Sequence, residues 1–119
     1  MNNSSGIYFL TMSYSVVMEM QSKVEWTFLS NHAHVLIYVS KFPEARIRDV
    51  AMAVGITERF TQKILKDLVD SGYLLANRTG RRKTYEVTQG LTFRHPLEKG
   101  AQVGKLLEIF AGIAQDSRN

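Results

Sequence analysis

The sequence contains no cysteine. Disulfide bonds and thiolate metal sites are therefore excluded, which suits a reducing compartment, and we expect a cytoplasmic protein. A membrane span of about 20 apolar residues is also lacking. The longest apolar region near the N-terminus, IYFLTMSYSVVM at 7–18, is interrupted by Thr11, Ser13 and Ser15 and follows no cation, so it predicts neither a span nor a secretory signal. We interpret residues 1–25 as an extension of unknown role.

Patterns that support catalysis or metal binding are equally scarce. No glycine-rich phosphate loop follows a predicted strand, and no GxSxG, HExxH or paired-carboxylate arrangement occurs. His32 and His34 are two residues apart on a predicted helix and point to different sides, while His95 lies far along the chain. We therefore expect a protein that is not an enzyme and that uses no metal and no other cofactor.

Positive charge is the first feature that the sequence does have. The chain carries 15 Lys and Arg against 11 Asp and Glu, a formal net charge of +4. An excess of basic residues favours an anionic binding partner without identifying it. The positions of these residues along the chain must therefore indicate which partner it is. The length of 119 residues fits one compact domain with a modest core and an appendage.

The first predicted helix lies within SNHAHVLIYVSK, at 30–41, and Pro43 stops it. Apolar residues on more than one side indicate that this helix is largely buried. We expect Trp26, Phe28 and Leu29, just before it, to fold back as a hydrophobic lid.

Two further helices follow at short spacing. EARIRDVAMAVG, at 44–55, predicts a short helix that Gly55 closes, and Thr57 is a good N-cap for a helix that runs to Gly72. Two helices joined by a short glycine-containing turn are typical of the helix-turn-helix, whose second helix can enter a DNA major groove. The inward residues of that second helix recur at three- and four-residue intervals: Thr61, Ile64, Leu65 and Leu68.

The opposite side of the helix at 57–71 is polar and carries side chains that can read base edges. Arginine can contact guanine, glutamine can contact adenine, and glutamate can accept a hydrogen bond from cytosine. The candidate base-reading residues are Glu58, Arg59, Gln62 and Lys63.

A cationic hairpin is predicted next. Strand-like segments at 73–77 and 83–88 flank RTGRR, whose glycine suits a hairpin turn, and a hairpin after a recognition helix is a wing. We expect the wing, residues 77–84, to contact the DNA backbone or the minor groove. Together with cations of the helices, the candidate backbone contacts are Arg46, Arg48, Lys66, Arg78, Arg81, Arg82 and Lys83.

The last predicted helix lies in VGKLLEIFAGIAQ, after a loop that contains Pro96. Its length predicts about four turns, with one apolar stripe that no later segment can cover. We expect this stripe to form a homodimer interface. Its members are Val103, Leu106, Leu107, Phe110, Ile113 and Ala114.

These motifs, in this order and spacing, resemble small prokaryotic winged helix-turn-helix transcriptional regulators of the MarR/ArsR-like kind. The resemblance covers about residues 26–110, through WTFLSNHAHVL, RIRDVAMAVGITERFTQKILKDLVDSGYL, GRRKTYEV and RHPLE. It implies sequence-specific DNA binding by the helix at 57–71 and a C-terminal helix that pairs subunits. Phe60 and Thr61 depart from the family pattern of a small and then an aliphatic residue, so no operator sequence carries over; Thr61 is expected to bond back to a backbone carbonyl.

The expected fold is therefore mainly α with a small β-hairpin, a winged helix-turn-helix plus a C-terminal dimerisation helix. The expected organisation is an extension at 1–25, a DNA-binding domain at 26–92, and a loop and dimerisation helix at 93–119. Two alternatives remain. A winged helix can instead bind protein, with Phe60 and the wing as its docking surface. A regulator can also sense a small molecule, held here between the extension, Trp26 and the C-terminal helix, although no diagnostic cluster of polar residues marks such a site.

Overall fold

The computed structural model describes residues 25–113 of the chain. In that range four helices and one hairpin follow each other along the chain. They are α1 (Asn31–Lys41), α2 (Ile47–Val54), α3 (Glu58–Asp70), β1 (Leu74–Thr79), β2 (Arg82–Val87) and α4 (Val103–Ala111). Within this part of the chain, no helix is both long and apolar enough to cross a bilayer. The predicted extension lies outside the described residues, apart from Glu25.

α1 begins and ends where its sequence predicts. The Ser30 side chain accepts a hydrogen bond from the Ala33 amide at 3.3 Å, and the helix stops two residues before Pro43. The buried residues Val35, Leu36 and Val39 place this helix at the centre of the core, where it contacts α2, α3, β2 and α4. The predicted hydrophobic lid is wrong for Trp26 and Phe28, which are exposed and contact each other edge to face, with ring centroids 5.1 Å apart, whereas Leu29 is half-buried.

α2 and α3 form the predicted helix-turn-helix. Gly55 closes α2 in the left-handed region, with φ of 89°, which favours glycine, and its amide donates to the Ala51 carbonyl at 2.8 Å. Thr57 caps α3 by accepting a hydrogen bond from the Phe60 amide at 3.0 Å. The side of α3 that faces the core is completely buried, and its residues are Thr61, Ile64, Leu65 and Leu68.

The hairpin follows α3 as a wing, and both of its strands run further toward the turn than the sequence predicts. Arg78 pairs with Lys83, and Thr79 pairs with Arg82, so the loop consists only of Gly80 and Arg81. A two-residue loop lets the antiparallel ladder continue to its end, and Gly80 supplies the positive φ, 64°, that such a loop needs. The expectation that all of RTGRR lies in the turn is therefore wrong for Arg78, Thr79 and Arg82.

α4 packs against α1, and its first residue lies in the core. The Val103 amide donates to the Leu91 carbonyl at 2.9 Å, and Val103 is buried. The helix has nine residues, about two and a half turns rather than four, because the backbone leaves helical pairing at Gly112, a residue of low helix propensity. Lys41, at the end of α1, donates a hydrogen bond to the Ile113 carbonyl and ties the end of α4 to the core.

The arrangement is a winged helix-turn-helix with a short fourth helix. One hydrophobic cluster joins the three N-terminal helices, the base of the wing and α4. Its buried members are Val35, Leu36, Val39, Val50, Ile64, Leu65, Leu68, Leu74 and Val103. The fold class that the sequence predicts is confirmed for these elements, while the dimerising role of α4 stays a prediction.

Candidate nucleic-acid interface

The outer side of α3 is open to solvent along its length. All the residues predicted there are exposed: Glu58, Arg59, Gln62, Lys63 and Lys66. The inner side is fixed by the core, including Thr61, whose hydroxyl donates to the Thr57 carbonyl at 2.8 Å as its sequence position predicts. The polar side chains of α3 therefore project from a backbone that the core holds in place.

The two lysines of α3 are paired with aspartates one turn further on. Lys63 Nζ lies 3.1 Å from Asp67 Oδ2, and Lys66 Nζ lies 2.7 Å from Asp70 Oδ2. The hydrogen bond to Asp70 raises the pKa of Lys66. Hydrogen bonds from His32 and then from Lys63 lower the pKa of Asp67.

Arg59 and Gln62 are less constrained. Among residues 25–113, neither side chain makes a hydrogen bond or an ion pair. Both are exposed near the N-terminal end of α3, the end of a recognition helix that contacts base edges. Their donors and acceptors are therefore free to meet a base pair.

The wing tip and the start of α2 face each other across one groove with a volume of about 580 Å³. This groove brings together five of the seven residues that the sequence predicts as backbone contacts. They are Arg46, Arg78, Arg81, Arg82 and Lys83. Arg48 and Lys66 are exposed but do not line it, and neither do the four predicted base-reading residues.

One acid, Glu44, lines the same groove and orients one of its arginines. Arg82 donates to the Glu44 carbonyl at 3.3 Å and lies 3.6 Å from the Glu44 carboxylate. The Tyr85 amide also donates to the neighbouring Pro43 carbonyl at 3.1 Å, so the α1–α2 loop runs alongside β2. These contacts hold the wing against the helix-turn-helix.

Tyr85 lies half-buried in the wall of the groove. Burial raises the pKa of its phenol, and the nearby charge of Arg78 opposes that rise only in part. The phenol therefore stays neutral at physiological pH, and the charge of the groove comes from its arginines, its lysine and Glu44.

A second cavity, of about 920 Å³, shares no lining residue with the wing groove. Apolar side chains such as Leu36, Phe93 and Leu106 line it together with His32, Asp67 and Arg94. Trp26 is not among its lining residues, and the expected effector site between the extension, Trp26 and the C-terminal helix stays a prediction, because the extension lies outside the described residues. Within residues 25–113, no group of three or more His, Cys, Asp or Glu side chains is close enough to hold a metal ion.

The apolar stripe predicted on α4 divides between the core and the surface. Val103 is buried and Leu107 packs against the core, so both side chains stabilise the protomer. The prediction that Val103 belongs to the dimer interface is therefore wrong. Leu106 and Phe110 are half-buried, Ile113 is exposed, and Ala114 lies outside the described residues. The reason is that α4 lies directly on α1, so one side of the stripe is already covered.

Three features of the surface were not predicted. Ile109 is 66% exposed on α4, beside the predicted stripe. Glu44 contacts Arg82 from 38 residues away, and His32 Nε2 lies 2.8 Å from Asp67 Oδ2 across 35 residues. A local charge pattern cannot reveal contacts between elements so far apart in sequence, whereas the exposure of Ile109 follows from how α4 turns its faces to α1.

No protein-family model matches the chain, and no curated protein matches it either. Several solved structures have a similar chain path. MepR, a transcription regulator of the Staphylococcus aureus multidrug efflux pump MepA, is 19% identical over 86% of this chain and 76% of its own, with a TM-score of 0.49. ZitR of Lactococcus lactis, a zinc-responsive MarR family member, is 15% identical over 72% of this chain and 65% of its own, with a TM-score of 0.44.

A third neighbour is AdcR, a zinc-dependent MarR family transcriptional regulator in its Zn(II)-bound state. It is 17% identical over 75% of this chain and 68% of its own, with a TM-score of 0.44. At such values the similarity concerns the path of the chain and says nothing of a ligand, a partner or an activity of this protein. The MarR family that two of these structures represent is the one that the sequence motifs resemble.

Proposed function

We propose that this protein is a MarR-like transcriptional regulator that binds double-stranded DNA sequence-specifically as a homodimer. α3 enters the major groove, and the wing contacts the backbone or the minor groove. The observation that carries this proposal is the cationic groove, which is lined by Arg46 at the start of α2, by four cations of the wing and, among the described residues, by one acid, Glu44.

Duplex DNA suits this groove because of its charge density. One negative charge occurs per about 1.7 Å of the duplex axis, and cations placed near phosphates gain affinity by releasing condensed counterions. The wing is a narrow two-stranded ribbon whose tip, Gly80 and Arg81, is exposed, so it can follow a phosphate backbone.

α3 supplies the part that can discriminate between sequences. Arg59 can donate two hydrogen bonds to guanine, and Gln62 can form a pair of hydrogen bonds with adenine. Because the inner side of the helix is buried, insertion into a groove needs no refolding of α3. The ring of Phe60, next to Arg59, is 39% exposed, and contact with a thymine methyl group is the role that we propose for it.

Dimerisation through α4 would complete the DNA site. The surface of this helix offers Leu106, Ile109 and Phe110, and Ile113 follows just after its end, while Val103 and Leu107 pack in the core. A twofold-symmetric dimer reads a pseudo-palindrome whose half-sites lie about 10 base pairs apart or a multiple of that.

The experiment is selection of bound sequences from a random duplex library, followed by affinity measurements over a range of salt concentrations. We expect one enriched palindromic site and a log-log salt slope of about −0.9 for each phosphate contact, with four to eight contacts per protomer. A protein-docking module, the alternative function, would bind neither the selected nor a random duplex at low salt, and that result would exclude our proposal.

Sedimentation tests the dimer separately. The wild-type chain should sediment as a dimer, and Ile109→Ser combined with Phe110→Ser should shift it to the monomer. A wild-type chain that stays monomeric at micromolar concentration and on its selected DNA would contradict dimerisation through α4.

A further inference from the structure

The aspartate that pairs with Lys63 also contacts another helix. Asp67 Oδ2 lies 3.1 Å from Lys63 Nζ on α3 and 2.8 Å from His32 Nε2 on α1. One carboxylate oxygen therefore accepts hydrogen bonds from two groups that compete for it. The neighbouring pair, Lys66 and Asp70, has no such link to α1 among the described residues.

We propose that His32 and Asp67 form a relay that sets how strongly Lys63 is held away from DNA, so that protonation of His32 increases DNA affinity. This inference rests on the proposed function, because Lys63 belongs to the DNA-facing side of α3. It adds a regulatory input, proton concentration, and assigns Asp67 as a positioning residue.

The charge balance of the three groups explains the direction of the effect. An ionised Asp67 accepts only, so a neutral His32 must carry its proton on Nε2, and the carboxylate charge is then compensated by Lys63. When the imidazole takes a second proton, His32 itself compensates Asp67. The hold on Lys63 weakens, and the three groups together change from neutral to one positive charge.

Lys63 is able to respond to this change. Its side chain is 67% exposed, against 39% for that of Asp67, and a lysine ammonium sits on a flexible four-carbon stem. Once released, it can turn from Asp67 to a phosphate or a base edge. The backbone does not need to move, because the inner side of α3 remains packed in the core.

Protons reach His32 because it lies in the wall of the larger cavity and its side chain is 42% exposed. The other acidic and basic side chains that line this cavity are Asp67 and Asp70 of α3 and Arg94, His95 and Glu98 of the loop between β2 and α4. Histidine is the side chain that ordinarily changes its charge between about pH 5 and 8, and the test of the relay therefore spans that range.

The test uses the full chain and a fluorescein-labelled random duplex, because the effect of charge needs no selected sequence. Fluorescence anisotropy would be recorded at about pH 8 and about pH 6 at constant ionic strength. We expect wild-type affinity to rise about twofold to fivefold as the pH falls, the scale of one exposed charge pair. His32→Gln keeps a donor for Asp67 but takes no charge, and it should lose this rise.

Asp67→Asn tests the other end of the relay. It should bind more tightly than wild type at about pH 8, with a salt slope steeper by about 0.9 if Lys63 then binds one phosphate. Asp70→Asn removes the same charge from the same helix without touching α1, and it should keep the pH response. His34→Gln replaces an imidazole that, among the described residues, hydrogen-bonds only to the side chain of Asn31. This variant should also keep the pH response.

The outcomes separate the two proposals. If His32→Gln shows the same rise as wild type, or if wild type shows none, the relay is wrong while DNA binding stands. If wild type binds no duplex at either pH, both proposals fail. A purely structural role for Asp67 would lower the thermal unfolding midpoint of Asp67→Asn without steepening its salt slope, and this result would also overturn the relay.

Discussion

The exposed side of α3 and the wing both carry cations, but the two regions manage their charge differently. Lys63 and Lys66 each contact an aspartate of their own helix, four residues further on. In the wing, none of the cations contacts an acid of the hairpin itself, and the ion pair of Arg82 reaches across to Glu44. The positive charge of the wing is therefore less compensated locally than that of α3.

The two regions also differ in how they are anchored. α3 buries a residue in every turn, from Thr61 to Leu68, whereas in β1 only the first residue, Leu74, is buried. A helix held along its length can present side chains at fixed positions, which sequence reading requires. The wing buries a β1 side chain only at its base and otherwise contacts the α1–α2 loop through Arg82 and Tyr85, so its side chains are less fixed than those of α3, which suits contact with the phosphate backbone. If the protein binds DNA as we propose, we infer that the wing contributes mainly to the affinity for any duplex and that α3 contributes the preference for particular sequences.

The largest expected effect compares the same substitution in the two regions. Leu65→Ala in α3 removes a side chain that is 3% exposed, and it should cost about 2–5 kcal/mol of unfolding free energy. Leu75→Ala in the wing removes one that is 53% exposed, and it should change stability by less than about 0.5 kcal/mol. Urea denaturation measures both. Equal losses would show that the wing is anchored as firmly as α3.

The next effect is on the salt dependence of DNA binding. Arg81→Ala with Arg82→Ala should flatten the log-log slope by about 0.9 for each phosphate that the wing no longer binds, while leaving the preferred sequence unchanged. The matched control is Lys99→Ala with Lys105→Ala, which removes the same charge from two exposed positions outside the wing. An unchanged slope in the wing variant would show that the wing does not contact DNA.

A smaller effect should appear in base discrimination. Arg59→Ala should reduce the preference for one base pair by about 1–3 kcal/mol, because the variant cannot form a paired hydrogen bond to a base edge. Lys66→Ala, on the same helix, should weaken binding to all sequences alike. Competition with duplexes that differ at single positions distinguishes these results. A uniform loss of affinity in Arg59→Ala would remove Arg59 from the base-reading set.

The smallest expected effect concerns stability in acid. The pKa of Asp67 is lowered in the folded state from an ordinary value of 3.8, so its contribution is present above that value and disappears as the pH falls through the folded-state pKa. Asp67→Asn should slightly lower the thermal unfolding midpoint at neutral pH but not in strong acid. Glu86→Gln, at an exposed position of the wing, should leave the midpoint unchanged at both. A destabilisation that persists in strong acid would point to packing rather than charge.

Local patterns predicted those parts of the fold that depend on near neighbours. The spacing of Ile64, Leu65 and Leu68 identifies the inner side of α3, and Thr57 and Gly55 mark helix ends, because periodicity and capping act within a few residues. The predicted turn was too long because strand pairing, not composition, decides where a ladder ends. The predicted lid is wrong for Trp26 and Phe28 because the hydrophobicity of a side chain does not show whether the fold offers a surface against which it can pack.

Part of the candidate site could also be predicted from local sequence patterns. Exposure of Arg59, Gln62, Arg81 and Lys83 follows from their positions opposite buried residues or at a hairpin tip. Glu44 beside Arg82 was missed because the contact requires the α1–α2 loop to run along β2. The sharing of Asp67 between Lys63 and His32 was missed because only the packing of α1 on α3 brings His32 within reach.

For this protein, the order of residues by itself determined the three core helices, their caps and the hairpin, since each depends on interactions between residues close in sequence. The excess of positive charge follows directly from the composition. Only the tertiary structure decided that Arg46 faces the wing cations across one groove, that α4 turns Val103 inward and Ile109 outward, and that Asp67 bonds to α1. These outcomes depend on how separate elements pack, and packing is settled by the whole core at once.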